Sequence, residues 1–530
     1  MSFIPSLPSW SRLLVGFCLI ASLYTFFLWD ISTNPPGFDQ DECCISYTGY
    51  EIATTGRGGP ENDTVLPFFF ECGTGGYRQF ASPAHPYVMA LLFLFVPPSN
   101  LAARVFTATI LFLSLLLLGL LAARISGQQA VGWIVAISGM VTPWLFEFSR
   151  FVLELFFFIF VIVLFLFCLF NAVKRERWRL TDSFFIALCL ALLAYSYSSG
   201  RLMAPLFAFG LLIFAVDRRS LFAVLRTWVI YAITMIPLVV IYFTDSTVLT
   251  QRFNGVTNLS SDRSFIENIS NVLVAVYEDL SPSYLMFNGD SYIGHHVQGM
   301  GELLVGPVAL SILGVVILLL RRHISRWWKY ILFATFVSLL PGAITVQRHY
   351  ALRDAAFPIF LLLLMVPAIS WLLGRNRDTT NESAWRTIES LPLPGRERFL
   401  RLGFLCGLMV LTMVQAVYFQ INYRDDPTGG GRSHHYAVDF PAVFDIAVAY
   451  PDRPIYIEEG GDPIWISTEW YSVVKGVDLN QNFVHVEGNQ QPQDGALVLT
   501  SNSRGAPPGS ELVRSYMSYT LYRYHDNGRH

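Results

Sequence analysis

The chain has 530 residues, of which 53% are hydrophobic and only 14% charged, with a mean hydropathy of +0.46. A soluble domain averages about 25% charged residues, so an ordinary soluble enzyme, a disordered chain and a disulfide scaffold are all excluded. A net charge of −3 argues against nucleic acid as a partner and leaves the lipid bilayer as the main solvent.

Apolar runs near the roughly 20 residues that a bilayer crossing needs fall, in chain order, at 11–30, 101–123, 129–146, 151–173, 182–198, 202–216, 227–243, 303–320, 330–346, 355–373 and 402–421. Together they predict a polytopic α-helical membrane protein of about 11 transmembrane helices. The first run has no Ala-x-Ala cleavage site and reads as an anchor. Residues 86–97 lie between Pro86 and Pro97, are too short to span, and read as an interfacial or re-entrant helix. Basic clusters at 174–179, 217–219, 321–329 and 374–401 alternate with poorly basic loops. By the positive-inside rule this puts the N-terminus in the cytoplasm. The expected location is therefore an integral, multi-pass plasma (inner) membrane protein of the cell envelope.

That orientation leaves the loops 31–100 and 244–302 outside, together with the tail. The second of these loops holds an amphipathic run near 264–280. The expected domains are a membrane part (1–421), a linker (422–432) containing Pro427-Thr-Gly-Gly-Gly-Arg432, and a small soluble α/β domain (433–530). Within the last, the pattern predicts helices at 438–449 and 463–474 and strands at 454–458, 482–486, 496–500 and 519–525.

Residues with chemical potential gather at the outer ends of the spans. Asp39, Asp41 and Glu42 follow the helix-stopping Asn34-Pro35-Pro36-Gly37. Carboxylates crowded at an apolar surface can accept a proton from a hydroxyl or hold a cation; acidic decoration of an outside loop is the plainer reading. Glu154 sits in an apolar run and needs a partner, for which Arg150, four residues earlier, has helical spacing. Arg150, Arg201, Arg348 and Arg353 share the face that should be poor in basic residues. Snorkelling to headgroups would explain them, but a phosphate suits their fork geometry better. Scattered His85, His295, His296 and His349 make a weak metal set. Cys43, Cys44 and Cys72 allow one bridge, from Cys72 to either of the other two.

The order of these pieces resembles the polytopic glycosyltransferases of the GT-C fold that use a lipid-phosphate sugar donor, the protein-O-mannosyltransferase and aminoarabinose-transferase-like group. The resemblance runs through most of residues 11–375. It rests on Pro35-Pro36-Gly37-Phe38-x-x-Asp41-Glu42, Gly76-Tyr77-Arg78, Arg104, Thr142-Pro143-Trp144 with Arg150 and Glu154, Arg252-Phe253-Asn254, Ser281 to Asp290 with His295, and Arg348-His349-Tyr350. It implies Asp41 as catalytic base with Glu42 beside it, and Asp39 remains an alternative because the Asp39-Gln40 insertion departs from the pattern. It implies donor-phosphate or substrate contacts for Arg150 and for Arg348 or Arg353. Arg78 stands where many relatives have lysine. Arg201, Glu154, His295 and His349 complete the candidate set.

The expected activity is inverting transfer of a sugar from a polyprenyl-phosphate carrier to an acceptor hydroxyl on a protein, lipid or glycan. No cofactor is called for, and a divalent metal stays open. The alternatives are a transporter or flippase of a lipid-linked or anionic substrate, and an inert scaffold presenting the tail.

Overall fold

The computed structural model describes residues 9–58, 64–65, 68–72, 80–175, 177–290, 292, 294, 296–374, 395–425, 435–459, 464–486 and 490–525. Each of the apolar runs falls largely in helix. The helices are α1 (Ser9–Leu28), α2 (Gln40–Thr55), α3 (Ala84–Phe93), α4 (Asn100–Ser126), α5 (Gln129–Val141), α6 (Pro143–Phe148), α7 (Leu155–Val173), α8 (Leu180–Ser196) and α9 (Ser198–Gly210). There follow α10 (Arg218–Thr234), α11 (Ile236–Thr244), α12 (Thr247–Val256), α13 (Phe265–Asp279), α14 (Val305–Leu319), α15 (Arg326–Ala343), α16 (Phe357–Leu372) and α17 (Gly395–Asp425). By length and composition α4, α7 and α17 can each cross a membrane, and the bent pair α10–α11 makes a fourth such element. The 86–97 segment forms α3, which stops at Phe93, and the amphipathic run forms α13.

Local chemistry sets the ends of these helices. Ser99 caps α4, its Oγ accepting from the Ala102 N–H at 3.1 Å, and Gly127 ends the helix at φ 67°. The crossing of α4 and α5 depends on two glycines. A Cβ at Gly119 would lie 2.7 Å from the Gly132 carbonyl oxygen, and one at Gly132 would lie 2.5 Å from that of Gly119. Small residues at such a contact let two backbones approach, which in lipid replaces the hydrophobic drive for helix association.

The tail carries α18 (Phe440–Ala449), α19 (Ile464–Lys475) and the short α20 (Leu479–Asn482). Before it, the stretch between α2 and α3 holds two small hairpins: β1 (Arg57–Gly58) with β2 (Thr64–Val65), and β3 (Phe70–Glu71) with β4 (Phe80–Ala81). The tail sheet contains β5 (Ile455–Glu458), β6 (Phe483–His485), β7 (Leu497–Ser501), β8 (Ser510–Ser515) and β9 (Tyr519–Tyr524), in the order β6-β5-β7-β9-β8. Parallel pairing of β5 with β6 and β7 and antiparallel pairing of β9 with β7 and β8 make it a mixed sheet. The α/β expectation is met. The expected linker begins differently, because α17 continues as helix to Asp425; 426–434 lie outside the described residues.

The tail also packs directly on the residues between α1 and the start of α4. Trp470 of α19 is buried, stacks on Phe38 at 5.9 Å and meets Phe93 at 5.8 Å. Asn100, at the start of α4, accepts from the Trp470 indole N–H at 2.7 Å and donates to the Tyr471 hydroxyl at 3.0 Å. The Phe38 N–H donates to the Tyr436 carbonyl at 2.9 Å, where Gly37 (φ 80°) leaves room that a Cβ would fill.

Of the two disulfide pairings open to Cys72, the structure forms Cys44–Cys72 and leaves Cys43 buried as a free thiol. The bridge closes a loop with a sequence separation of 28. Cys44→Ala is expected to lower stability by about 2–4 kcal/mol. Thermal unfolding with and without reductant checks this: the wild type should shift under reductant and the variant should not.

Candidate functional site

The acidic segment after α1 becomes α2 because its acids cap one another. Asp39 accepts from the Asp41 N–H at 2.9 Å, and the Glu42 carboxylate accepts from the Asp39 N–H at 3.0 Å, a reciprocal capping box. Burial first, then the charges of Asp41 and Glu42, push the Asp39 carboxyl well above the usual range.

Glu42 turns inward and is fully buried. Its Oε1 accepts from Arg104 Nε at 2.9 Å and the Val152 N–H at 3.0 Å, and its Oε2 accepts from Arg104 Nη2 at 2.6 Å as well as from Asp39. Arg104 also donates to the Pro35 carbonyl at 2.8 Å. One carboxylate thus ties α2 to α4 and to the turn before α7, with no acceptor position left for a substrate.

Asp41, its neighbour, faces a small cavity instead. Asp41, Glu154, Tyr197 and Arg252 line that cavity, with Cys72 and Leu352 among the remaining walls. Its volume of about 50 Å³ suits one or two waters.

Glu154 stands just ahead of α7 and accepts from the Ser82 N–H, while the Ser82 hydroxyl accepts from Arg201 Nη2 at 3.3 Å. Burial pushes Glu154 up to about 7, with the Ser82 N–H and the charges of Arg252 and Arg201 pulling the other way. Folding therefore favours its protonated form. That contribution is complete below about pH 4.5, the ordinary value, and is lost as pH rises through about 7. Glu154→Gln is expected to gain about 1–3 kcal/mol of stability at pH 8 and nothing at pH 4.5. Melting curves at the two pH values check the sign; a variant less stable at pH 8 would contradict it.

The other predicted residues divide between this cavity and elsewhere. Arg201 lies over the Phe69 ring at 5.0 Å, and Arg353 lies over Tyr350 at 4.9 Å while donating to Gln347 Oε1 at 2.9 Å. Arg201 Nε and Arg353 Nη1 are buried without a hydrogen-bond partner. Both side chains lie within electrostatic reach of Arg252, and Arg201 within reach of Glu154 also.

Arg348 and His349 serve a different contact. Arg348 lies 3.3 Å from Glu278 and donates to the Ala343 and Thr345 carbonyls at the end of α15. His349 stacks on Tyr284 at 4.6 Å and bonds the end of α13 through Asp279 and the Glu278 carbonyl. The structure does not bring either to the Asp41 cavity. Arg78 and His295 lie outside the described residues.

The expected pairing of Arg150 with Glu154 is corrected. The chain between them is not helical, so the four-residue spacing does not set them side by side. Arg150 is fully buried, donates to the Trp29 carbonyl at 2.9 Å and lies 4.3 Å from the centre of the Phe146 ring. Its Nε and Nη2 have no hydrogen-bond partner, and burial pulls its pKa down to about 10.

Reading the sequence passed over Arg252 and Tyr197 as site residues. Arg252 stands in the stretch that carries the family resemblance and Tyr197 is the single residue between α8 and α9, but nothing local sets either apart from neighbouring polar residues.

Among the described residues one group could hold a metal ion: Glu147, His296 and Glu302, all buried. His296 Nε2 lies 2.8 Å from the Met300 carbonyl and donates to it, so Nδ1 faces Glu147 Oε2 at 2.6 Å and Glu302 Oε1 at 3.5 Å. Burial opposes a charge on this imidazole, but the two carboxylates outweigh it and raise the pKa to about 10. The ring and the two carboxylates form a buried cluster that ties His296 and Glu302 to Glu147 of α6. A divalent cation in place of the Nδ1 proton would find the same three ligand atoms. None of the three residues lines the Asp41 cavity.

The fold is similar to that of solved glycosyltransferase structures. Two structures of ArnT from Cupriavidus metallidurans share it: one bound to undecaprenyl phosphate (TM-score 0.53, 11% identity, 97% of this chain and 98% of that one) and one in the apo state (TM-score 0.50, 12% identity, 97% of each). Arabinofuranosyltransferase AftD from mycobacteria, in a mutant form, matches with a TM-score of 0.50 and 11% identity over 96% of this chain and 42% of its own. No family model and no curated protein matches the sequence.

Proposed function

We propose that the protein is an inverting glycosyltransferase that moves a sugar from a polyprenyl-phosphate carrier to an acceptor hydroxyl at the outer face of the plasma (inner) membrane. The observation that carries this reading is the shared cavity of Asp41, Glu154 and Arg252 at the end of the α7 span. The acceptor oxygen attacks the anomeric carbon and loses its proton to Asp41 as the bond to the carrier phosphate breaks. That phosphate leaves as an anion, so no general acid is needed. Arg252, with Arg201 and Arg353, stabilises its charge.

Glu154, with a pKa of about 7, can give or take a hydrogen bond to a sugar hydroxyl. The fold shared with an ArnT bound to undecaprenyl phosphate supports the carrier class. The Cys44–Cys72 bridge supports an oxidising compartment for the first loop. In this reading Asp41 rather than Asp39 is the base, because Asp39 spends its carboxylate on capping α2. The eleven spans and the cytoplasmic N-terminus belong to the same proposal. The tail would brace α2 from the outside.

The test is transfer of labelled sugar from a polyprenyl-phosphate donor by purified wild-type and Asp41→Asn protein in detergent or nanodiscs. Full turnover by the variant would remove the proposed chemistry.

A further inference from the structure

A second cavity lies at the other end of α7. Glu154 and Leu155 mark one end of that helix, and Phe170, Val173 and Lys174 line a cavity of about 880 Å³ at the other. Nineteen residues separate the ends, or about 28 Å at 1.5 Å per residue. The second cavity is therefore independent of the proposed active site.

Its walls are strongly cationic. Among the described residues 18 line it, seven of them Lys or Arg and one, Asp217, an acid. The Asp217 carboxylate is already committed, accepting from the Ser220 N–H at 2.7 Å and the Ser220 hydroxyl at 2.8 Å to cap α10. Two long helices begin at the cavity: α10 at Arg218 and α15 at Arg326, so both bring the positive ends of their dipoles to it.

A basic membrane edge alone would follow from the positive-inside bias. That bias does not explain two further observations. Ser325 and Trp327 are among the lining residues and are 3% and 1% exposed, and the Ser325 hydroxyl and the Trp327 indole N–H are buried without a hydrogen-bond partner. A buried donor left unsatisfied costs about 1–3 kcal/mol, so two of them in the wall of one cationic cavity favour an acceptor that small side-chain movements would let them reach. Aromatic walls from Phe170, Trp178, Phe214 and Phe222 suit the glycerol and upper acyl region of a lipid.

We infer that this cavity binds a phosphate-ester anion, the headgroup of an anionic phospholipid, with Arg218, Arg219 and Arg326 on its charge and Ser325 and Trp327 donating to its oxygens.

The test uses the full-length protein in phosphatidylcholine nanodiscs with and without phosphatidylglycerol, with native mass spectrometry counting retained lipid and a melting curve reporting stability. Wild type should retain phosphatidylglycerol over phosphatidylcholine and melt higher with it. Arg218→Gln/Arg219→Gln should bind it roughly tenfold more weakly. Trp327→Phe keeps the ring and loses only the N–H, and should weaken retention several-fold while melting normally in phosphatidylcholine alone.

Inorganic phosphate forms a separate arm. Stabilisation by phosphate that these substitutions abolish, without lipid selectivity, would overturn the lipid source. Equal retention of both lipids by wild type and variants, with no response to phosphate, would overturn the site altogether.

Discussion

Asp41→Asn is expected to lower kcat for sugar transfer by about 10²–10⁴-fold, the range that a positioned general base contributes, while KM for the donor changes little. The side chain keeps its size and loses only basicity. Because Asp41 takes no part in the buried pair beneath it and Asp39 remains to cap α2, the fold should persist. The assay is steady-state transfer from a polyprenyl-phosphate sugar, with a melting curve as a folding control. A variant that melts normally and turns over normally would assign the base elsewhere.

Glu42→Ala, one residue away, should give the opposite pattern. It removes the partner of a fully buried guanidinium and unseats the Asp39 and Val152 N–H groups at the same time. Breaking a buried pair by deleting one member typically costs about 3–5 kcal/mol, because the remaining charge is left without compensation. The expected result is poor accumulation and a lowered melting temperature. Any protein that does fold should keep a donor KM near the wild-type value. Adjacent carboxylates would then separate cleanly, one acting on substrate and the other holding α2 in place. An equal loss of kcat in both variants at unchanged stability would refute that separation.

Much of the architecture was legible because lipid imposes a simple rule. Apolar runs of sufficient length become helices, so the runs at 101–123 and 151–173 forecast α4 and α7. The tail strands β5, β6, β7 and β9 were visible from their β-branched and aromatic pattern, whereas β8 (Ser510–Ser515) was not. It is a largely exposed edge strand with Glu511 and Arg514 and a bulge between Leu512 and Arg514, and so lacks an apolar face to advertise it.

Site residues were less legible, because direction is not written in local sequence. Asp41 and Glu42 are neighbours on one helix, yet one faces a cavity and the other a buried arginine 62 residues later. Helical spacing put Arg150 beside Glu154, but the non-helical turn at 151–153 carries Arg150 instead to the Trp29 carbonyl. Arg252 reaches the cavity from α12, a helix with no buried residues, and only the tertiary arrangement brings it next to Asp41 and Glu154.

In the proposed reaction a carrier phosphate sits where Asp41, Glu154 and Arg252 meet. The most direct measurement is a structure of the protein with a polyprenyl phosphate bound. The phosphate is predicted to lie within about 3 Å of Arg252 guanidinium nitrogens, with Arg201 or Arg353 as second partner and the Asp41 carboxylate open toward the acceptor side. A phosphate seated instead on Arg150, away from Asp41, would contradict the account.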